Sequence, residues 1–363
     1  MLARAGTWFI RSGIQENSGG VARYYRTDLA ANHPISTEIT GYGVSAFLFF
    51  DQLSSALAAA RFLTREAWSV NSMPFELNDR PNGGSSGEPH RRVTYFFDCG
   101  IIVRGLMAAW RATREEEFLD VAIALGRAMA SDFASTDSDY HPVLKLPEKQ
   151  PLPRDPLRWS QSAGCYQLKS ALAWRGLFEV SGDDIFLEHY ERLLDNALRN
   201  YANFLPGHSD LFKVVDRLHA FLYFLEGILP NVCEPARLPG KAERCRAALC
   251  DGIGRVAGHI DQTASQFERS DVYAQLLRIR LFADWTGIVT LDEAAARREA
   301  ATLAGFQAAS EDPRLDGGFY FGRKAGAWLS YVNPVSTAFA AQALALWQRH
   351  NTLKSPIAWV ELI

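Results

Sequence analysis

The feature that most constrains this chain is a two-helix unit recurring about every 60 residues along its 363 positions. In "FDCGIIVRGLMAAWRATREEEFLDVAIALGRAMA" (97 to 130), the only charge between Asp98 and Trp110 is Arg104. A polar turn follows, then an amphipathic stretch with acids in its first turn, the pattern of a surface helix. The same order, apolar helix, turn, amphipathic helix, recurs at 162 to 201 with "SGDD" as the turn, at 217 to 260, and at 271 to 306. The polar starts of the apolar helices, Glu38, Asp98, Ser160, Arg217, Asp271 and Asn333, are separated by about 60, 62, 57, 54 and 62 residues. That regularity is a repeat. The loops repeat as well: "NSGGVARYY", "NGGSSG" and "LDGGFYFG" each place a glycine pair upstream of an apolar helix, as turn chemistry requires.

Six apolar helices need six amphipathic partners, yet only residues 351 to 363 follow the last, "NPVSTAFAAQALALWQRH". The opening stretch "ARAGTWFIRSGIQENSGGVARYY" parallels "EAATLAGFQAASEDPRLDGGFYFG", so the first 13 residues are expected to pair with the last apolar helix. Trp8 should then meet Phe339 and Leu344. A helix that is apolar nearly all round must be covered on most sides. The expectation is an all-α fold, an (α/α)6 toroid spanning 1–363 as one domain, with an open solenoid as the rival.

Composition removes several function classes. A net charge of −3 gives no general attraction to nucleic acid or to anionic lipid. No run of 18 apolar residues offers a membrane span, and "MLARAGTWFIRSG" lacks the apolar core of a signal peptide, so the cytoplasm is the default location. Cys99, Cys165, Cys233, Cys245 and Cys250 form an odd set without C-x-x-C pairs and read as buried free thiols. Spacing shows no metal site, and no cofactor is expected. The aspartate-rich metal motif of terpene cyclases is absent, and "GRKAG" (322 to 326) is too short for a phosphate loop.

In a toroid the N-termini of all apolar helices collect at one mouth, where dipoles and loops favour polar ligands. Glu38, Asp98, His219, Asp271 and Asn333 become neighbours there, with Tyr42 one turn below Glu38. Arg23 could hold a carboxylate or phosphate, and Tyr24, Tyr25, Trp159, Phe319, Tyr320, Trp328 and Tyr331 supply aromatic faces on which sugars stack. The bland alternatives are capping for Asp98, Asp271 and Asn333 and a hydrogen-bonded core histidine for His219. Glu38 stands out in "STEITGYGVSAFLFF" because glutamate caps poorly, Ser36 or Thr37 can cap instead, and Gly41 and Gly43 allow close approach of backbone or ligand. Glu226 is expected to be buried against Arg104, Arg278 or a similar base.

The motifs "TEITGY", "FDCGIIVRGLMAAW", "LHAFLYFLEGIL", "DVYAQLLRIRLF" and "NPVSTAFAAQAL" resemble successive inner helices of the six-hairpin glycosidase-like superfamily. They are most similar to a group of bacterial proteins associated with surface-polysaccharide biosynthesis. Where that group carries Thr-Gly-Asp after its first inner helix, this chain has "QLSSAL", and "WSQSAGCYQ" departs at the third. The resemblance implies a carbohydrate-facing cleft. The leading expectation is a glycoside hydrolase acting on an oligosaccharide or uronate-containing polysaccharide, with Glu38 and Asp98 as catalytic acids. Two alternatives stand beside it. One is a polysaccharide lyase or sugar epimerase with His219 or a tyrosine as base, and the other is a non-catalytic glycan-binding or scaffold protein.

Overall fold

The computed structural model of the chain describes residues 1–69, 73–74, 76–77, 92–136, 139–352 and 357–363. In chain order the helices are α1 (Leu2–Arg11), α2 (Thr37–Phe49), α3 (Leu53–Ser69), α4 (Phe96–Thr113), α5 (Glu116–Asp132), α6 (Gln167–Ser181), α7 (Asp184–Asn200), α8 (Leu211–Gly227), α9 (Leu229–Cys233), α10 (Pro239–Thr263), α11 (Ser270–Trp285), α12 (Glu293–Ala304) and α13 (Pro334–Thr352). The apolar helices α2, α4, α6, α8, α11 and α13 pack each on the next, and α13 returns to α2. This is a closed inner ring.

The amphipathic helices α3, α5, α7, α10 and α12 lie outside it, and α1 takes the sixth outer position against α13. Trp8 is fully buried there, and its Nε1 donates to the Arg314 carbonyl at 2.8 Å. The outer helices show the period expected of a one-sided surface. In α7, Phe186, Tyr190, Leu193, Leu194, Ala197 and Leu198 are the buried residues, a single stripe at helical spacing. The "SGDD" turn works as its residues dictate: Gly182 ends α6 at φ +70°, and the Asp183 carboxylate accepts from the Ile185 N–H to start α7.

Glycines set how closely elements approach. Gly19 (φ +96°) and Gly317 (φ +89°) are equivalent: a Cβ on the first would lie 2.2 Å from the Ala58 carbonyl oxygen of α3, and on the second 2.2 Å from the Arg4 carbonyl oxygen of α1. The recurring glycine pair therefore seats each loop on an outer helix. The pair in "NGGSSG" lies outside the described residues. Inside the ring, a Cβ on Gly105 would fall 2.6 Å from the Gly41 carbonyl oxygen, so α2 and α4 touch backbone to backbone. Gly41 thus admits a neighbouring helix and Gly43 the side chain of Val21, and neither admits a ligand. Gly105→Ala is expected to cost roughly 1–3 kcal/mol by overpacking. Gly254→Ala, on α10 with nothing within 4 Å of its Cβ, should be neutral or stabilising by about 0.5–1 kcal/mol. Urea midpoints of the two variants check this.

Short antiparallel hairpins form the mouth. β1 (Tyr25–Arg26) pairs with β2 (Ala31–Asn32) and with β10 (Tyr331–Val332). β3 (Glu76–Leu77), β4 (Arg92–Tyr95), β5 (Val143–Lys145) and β6 (Gln150–Pro151) form a second sheet, and β7 (Phe267–Arg269), β8 (Gly322–Lys324) and β9 (Ala327–Trp328) a third. β4, β7 and β10 each run into an inner helix within two residues, so the last side chain of the strand stands at the helix mouth.

Two expected boundaries move. α6 begins at Gln167, not at Ser160, which lies on a 3-10 turn (Trp159–Gln161), and α8 begins at Leu211, placing Arg217 in its second turn. Of the cysteines, Cys99, Cys165 and Cys245 are buried free thiols, Cys233 is half-buried, and Cys250 is exposed.

Candidate functional site

The N-terminal ends of the inner helices enclose a cavity of about 400 Å³. Glu38, Asp98, His219, Asp271, Asn333, Arg23, Trp159 and Tyr331 all line it. Residues far apart in sequence meet because each stands at, or within about two turns of, the start of its own inner helix or in the loop leading into it. Five expected residues do not line it, among them the fully buried Phe319 and the exposed Trp328. Tyr25 is buried beneath the Arg314 guanidinium, 5.1 Å from its ring. Tyr320 stacks on Trp328 at 5.1 Å, and Tyr42 is buried below the cavity floor against Phe339.

The carboxylates differ in setting. Ser36, not Glu38, caps α2, its hydroxyl accepting from the Ile39 N–H at 3.4 Å, so Glu38 sits half-buried in the first turn at the cavity edge. Asp98 also stands in the first turn of its helix rather than at the cap, which is Tyr95. It is 9% exposed and lines the cavity. The positive end of each helix favours an anion at these positions. Asn333 does cap: its Oδ1 accepts from the Ser336 N–H at 3.0 Å.

Asp271 is held by a neighbour that sequence reading passed over. Arg269, the last residue of β7, grips it with two bonds, Nε to Oδ1 at 3.0 Å and Nη2 to Oδ2 at 2.6 Å. Its Nη1 donates to Asp216 at 2.8 Å, and its plane lies 4.4 Å from the Phe321 ring. Burial would raise the Asp271 carboxyl, but Arg269 and His219 outweigh it and keep it below the ordinary range. The carboxylate therefore stays ionised beside His219.

Both neighbours of His219 Nδ1 are oxygens, Gln275 Oε1 at 2.7 Å and Asp271 Oδ2 at 3.4 Å. This places the proton on Nδ1. That leaves Nε2 as the basic nitrogen of a residue that lines the cavity. Burial pushes the imidazolium down to about 4, against the opposing pull of Asp271. The sign of the stability effect follows. Between about pH 6.5 and 4 the unfolded chain takes a proton that folded His219 refuses, so this contribution is intact above 6.5 and declines as pH falls. The loss reaches about 3 kcal/mol by pH 4. Denaturant unfolding at pH 7 and pH 4.5 should show a pH slope in the native chain that His219→Gln reduces.

The other wall is aromatic. Tyr331 lies between Tyr24 at 4.8 Å and Phe321 at 5.0 Å, and Trp159 faces His219 at 6.5 Å. Tyr223, one turn beyond His219, packs on its ring at 4.4 Å and lines the floor, its hydroxyl pushed well above the usual range by burial and by Tyr42. Helical spacing from His219 is the signal by which Tyr223 could have been found. Arg269 could have been found from "RSD", where a strand-end arginine precedes an aspartate by two. Among the described residues no group of three His, Cys, Asp or Glu side chains could hold a metal ion.

No family model and no curated protein matches this sequence. Solved structures do match. A D-mannose isomerase superposes with a TM-score of 0.66 at 10% identity, covering 97% of this chain and 96% of that one. The cellobiose 2-epimerase of Spirochaeta thermophila gives 0.62 at 15% identity, covering 95% and 94%. A glycosyl hydrolase family 88 protein of Bacteroides vulgatus gives 0.60 at 10%, covering 96% and 98%. At such identities the likeness speaks for architecture. With the closed ring of six hairpins, it shows that this chain has an (α/α)6 toroid fold.

Proposed function

We propose that this chain is a carbohydrate-active enzyme that performs acid–base chemistry on a sugar held in the cavity, with glycoside hydrolysis as the reaction. The observation that carries this is the convergence, on one aromatic-walled cavity, of Glu38, Asp98 and an imidazole with its proton held on Nδ1. Glu38 and Asp98 divide the two roles hydrolysis requires. One carboxylic acid gives its proton to the departing glycosidic oxygen, and the other carboxylate attacks the anomeric carbon or takes a proton from the attacking water. Trp159 offers a face on which a pyranose ring stacks, and Tyr24 and Tyr331 line the wall beside it. A volume of about 400 Å³ is at the lower end for ligand cavities and suits a short saccharide or the end of a longer chain. The free thiols and the inner-helix motifs fit a cytoplasmic role in surface-polysaccharide metabolism.

A second reading is favoured by one specific observation, a cavity-lining His219 whose Nδ1 is held by Gln275 and Asp271, leaving Nε2 as a base. A base so placed could remove a proton beside a sugar carbonyl, the step of an epimerase or isomerase. Incubation with a panel of defined disaccharides and reducing sugars in D2O, followed by proton NMR, separates the readings. Hydrolysis yields new reducing ends without exchange at carbon. Epimerisation yields a deuterium label on a sugar carbon, and its appearance without cleavage would overturn the hydrolase reading. Saturable binding with neither change would leave a glycan-binding protein.

A further inference from the structure

Beside the cavity, sharing Trp159 and Ser160 as a common wall, is a smaller cleft of about 130 Å³ that also presents Arg158, Gly207, Lys213, Asp216 and Arg217. Its charges are unbalanced. Asp216 is already engaged by Arg269 at 2.8 Å, and Arg158 lies 3.6 Å from Asp155. Asp210 is turned to cap α8, accepting from the Phe212 N–H at 2.9 Å. Lys213 and Arg217 have no carboxylate partner among the described residues.

Arg217 is not a loose surface side chain. Its Nε donates to the Phe204 carbonyl at 3.0 Å, and its guanidinium lies 4.1 Å from the centre of the Phe204 ring. On another side it rests against Gly207, where φ is +63° and a Cβ would fall 2.2 Å from Nε and 2.5 Å from Cζ. A ring, a carbonyl and a bare glycine thus fix the guanidinium, while its two Nη groups have no protein acceptor among the described residues. Burial lowers it from its ordinary range without a carboxylate to compensate. A half-buried cation fixed in this way lacks an anion.

We infer that this cleft is a subsite for an anionic group carried by the substrate, a carboxylate, sulfate or phosphate one sugar unit away from the ring in the main cavity, with Arg217 making the paired contacts and Lys213 adding charge. The inference rests on the carbohydrate reading of the main cavity and names its substrate class: acidic rather than neutral glycans. The planar fork of Arg217 matches two oxygens of one oxyanion, and the first turns of α8 add the favourable end of a helix dipole. Trp159, common to both chambers, would stack between the two units.

The test is binding of the whole chain to an array of defined glycans in matched neutral, uronate-bearing, sulfated and phosphorylated forms, at two salt concentrations. The native chain should retain acidic members over their neutral counterparts, and the array arm that is retained identifies which oxyanion is used. Arg217→Gln should weaken that retention by about 10- to 100-fold. Lys213→Gln, an exposed change that leaves the Phe204 packing intact, should weaken it several-fold and flatten the salt dependence. Preference for neutral glycans, no glycan binding at all, or undiminished acidic binding in both variants would overturn the inference. Glycan cleavage that is indifferent to Arg217 and Lys213 would sink it while leaving the hydrolase reading standing. Acidic binding lost in the variants without any turnover would do the reverse.

Discussion

Glu226→Gln is expected to destabilise the protein by roughly 3–5 kcal/mol. Glu226 is fully buried in the last turn of α8. Its Oε1 accepts from Arg278 at 2.5 Å and its Oε2 lies 2.8 Å from the Lys169 ammonium, both cations being fully buried as well. Arg104 stands close by, donating to the Leu362 carbonyl at 2.6 Å and pushed down to about 10 by burial. Burial alone would raise the Glu226 carboxyl, yet Arg278 and Lys169 overcome it and hold it ionised. Glu226 therefore faces several cations, two of which also donate to the Ile363 oxygen, Lys169 at 3.2 Å and Arg278 at 3.3 Å. Glutamine keeps the shape and removes the charge, leaving Arg278 and Lys169 buried against a neutral amide, the Ile363 oxygen and, for Arg278, Gln342. Lys169, already well below its ordinary range through burial, would shed its proton and relieve part of the cost. Urea unfolding at neutral pH measures the effect. By comparison Asp316→Asn, which breaks the exposed Arg4 pair, should cost no more than about 1 kcal/mol. A Glu226→Gln midpoint within about 1 kcal/mol of native would contradict the buried cluster.

Asp98→Asn should lower turnover by about 10²- to 10⁴-fold with the fold intact, and Glu38→Gln by a similar factor. Both substitutions are isosteric, and neither carboxylate is part of the Glu226 cluster, so unfolding is not the expected route to inactivity. If the two carboxylates act as acid and base in one reaction, removing both should cost much less than the product of the single losses. His219→Gln is diagnostic from the other direction. Under hydrolysis it perturbs the cavity but spares the carboxylates, so a moderate loss is expected, whereas under proton abstraction at carbon it would abolish exchange. Tyr320→Phe, outside the cavity, serves as the control and should change turnover by less than about twofold. Steady-state rates on any glycan cleaved by the native chain decide this. Full activity in Asp98→Asn would remove the hydrolase reading.

The periodic part of the molecule was legible because it rests on patterning alone. The outer helices carry one stripe and the inner helices are apolar nearly all round, so their number, order and closure by α1 could be read from residue types. Helix starts gave the mouth, and so gathered Glu38, Asp98, His219, Asp271 and Asn333. Less legible was which aromatic in each loop faces inward. In β1 and around β10, neighbours point to opposite sides, so Tyr24 reaches the cavity while Tyr25 goes under Arg314, and Phe321 joins the aromatic wall while Tyr320 turns to Trp328. A one-residue difference of register reverses each choice.

What the sequence alone determined is the ring of six hairpins and the set of helix ends that meet at its mouth, since both follow from hydrophobic period and chain order. What the tertiary structure decided is the pairing across the ring: Arg269 with Asp271, Gln275 with His219, Lys169 and Arg278 with Glu226, and Arg217 with no carboxylate among the described residues. Except for Arg269 and Asp271, these partners come from different inner helices or from loops far apart in the chain. Local pattern carries no information about them, because ion pairs and hydrogen bonds act over a few ångströms that only the closure of the ring creates.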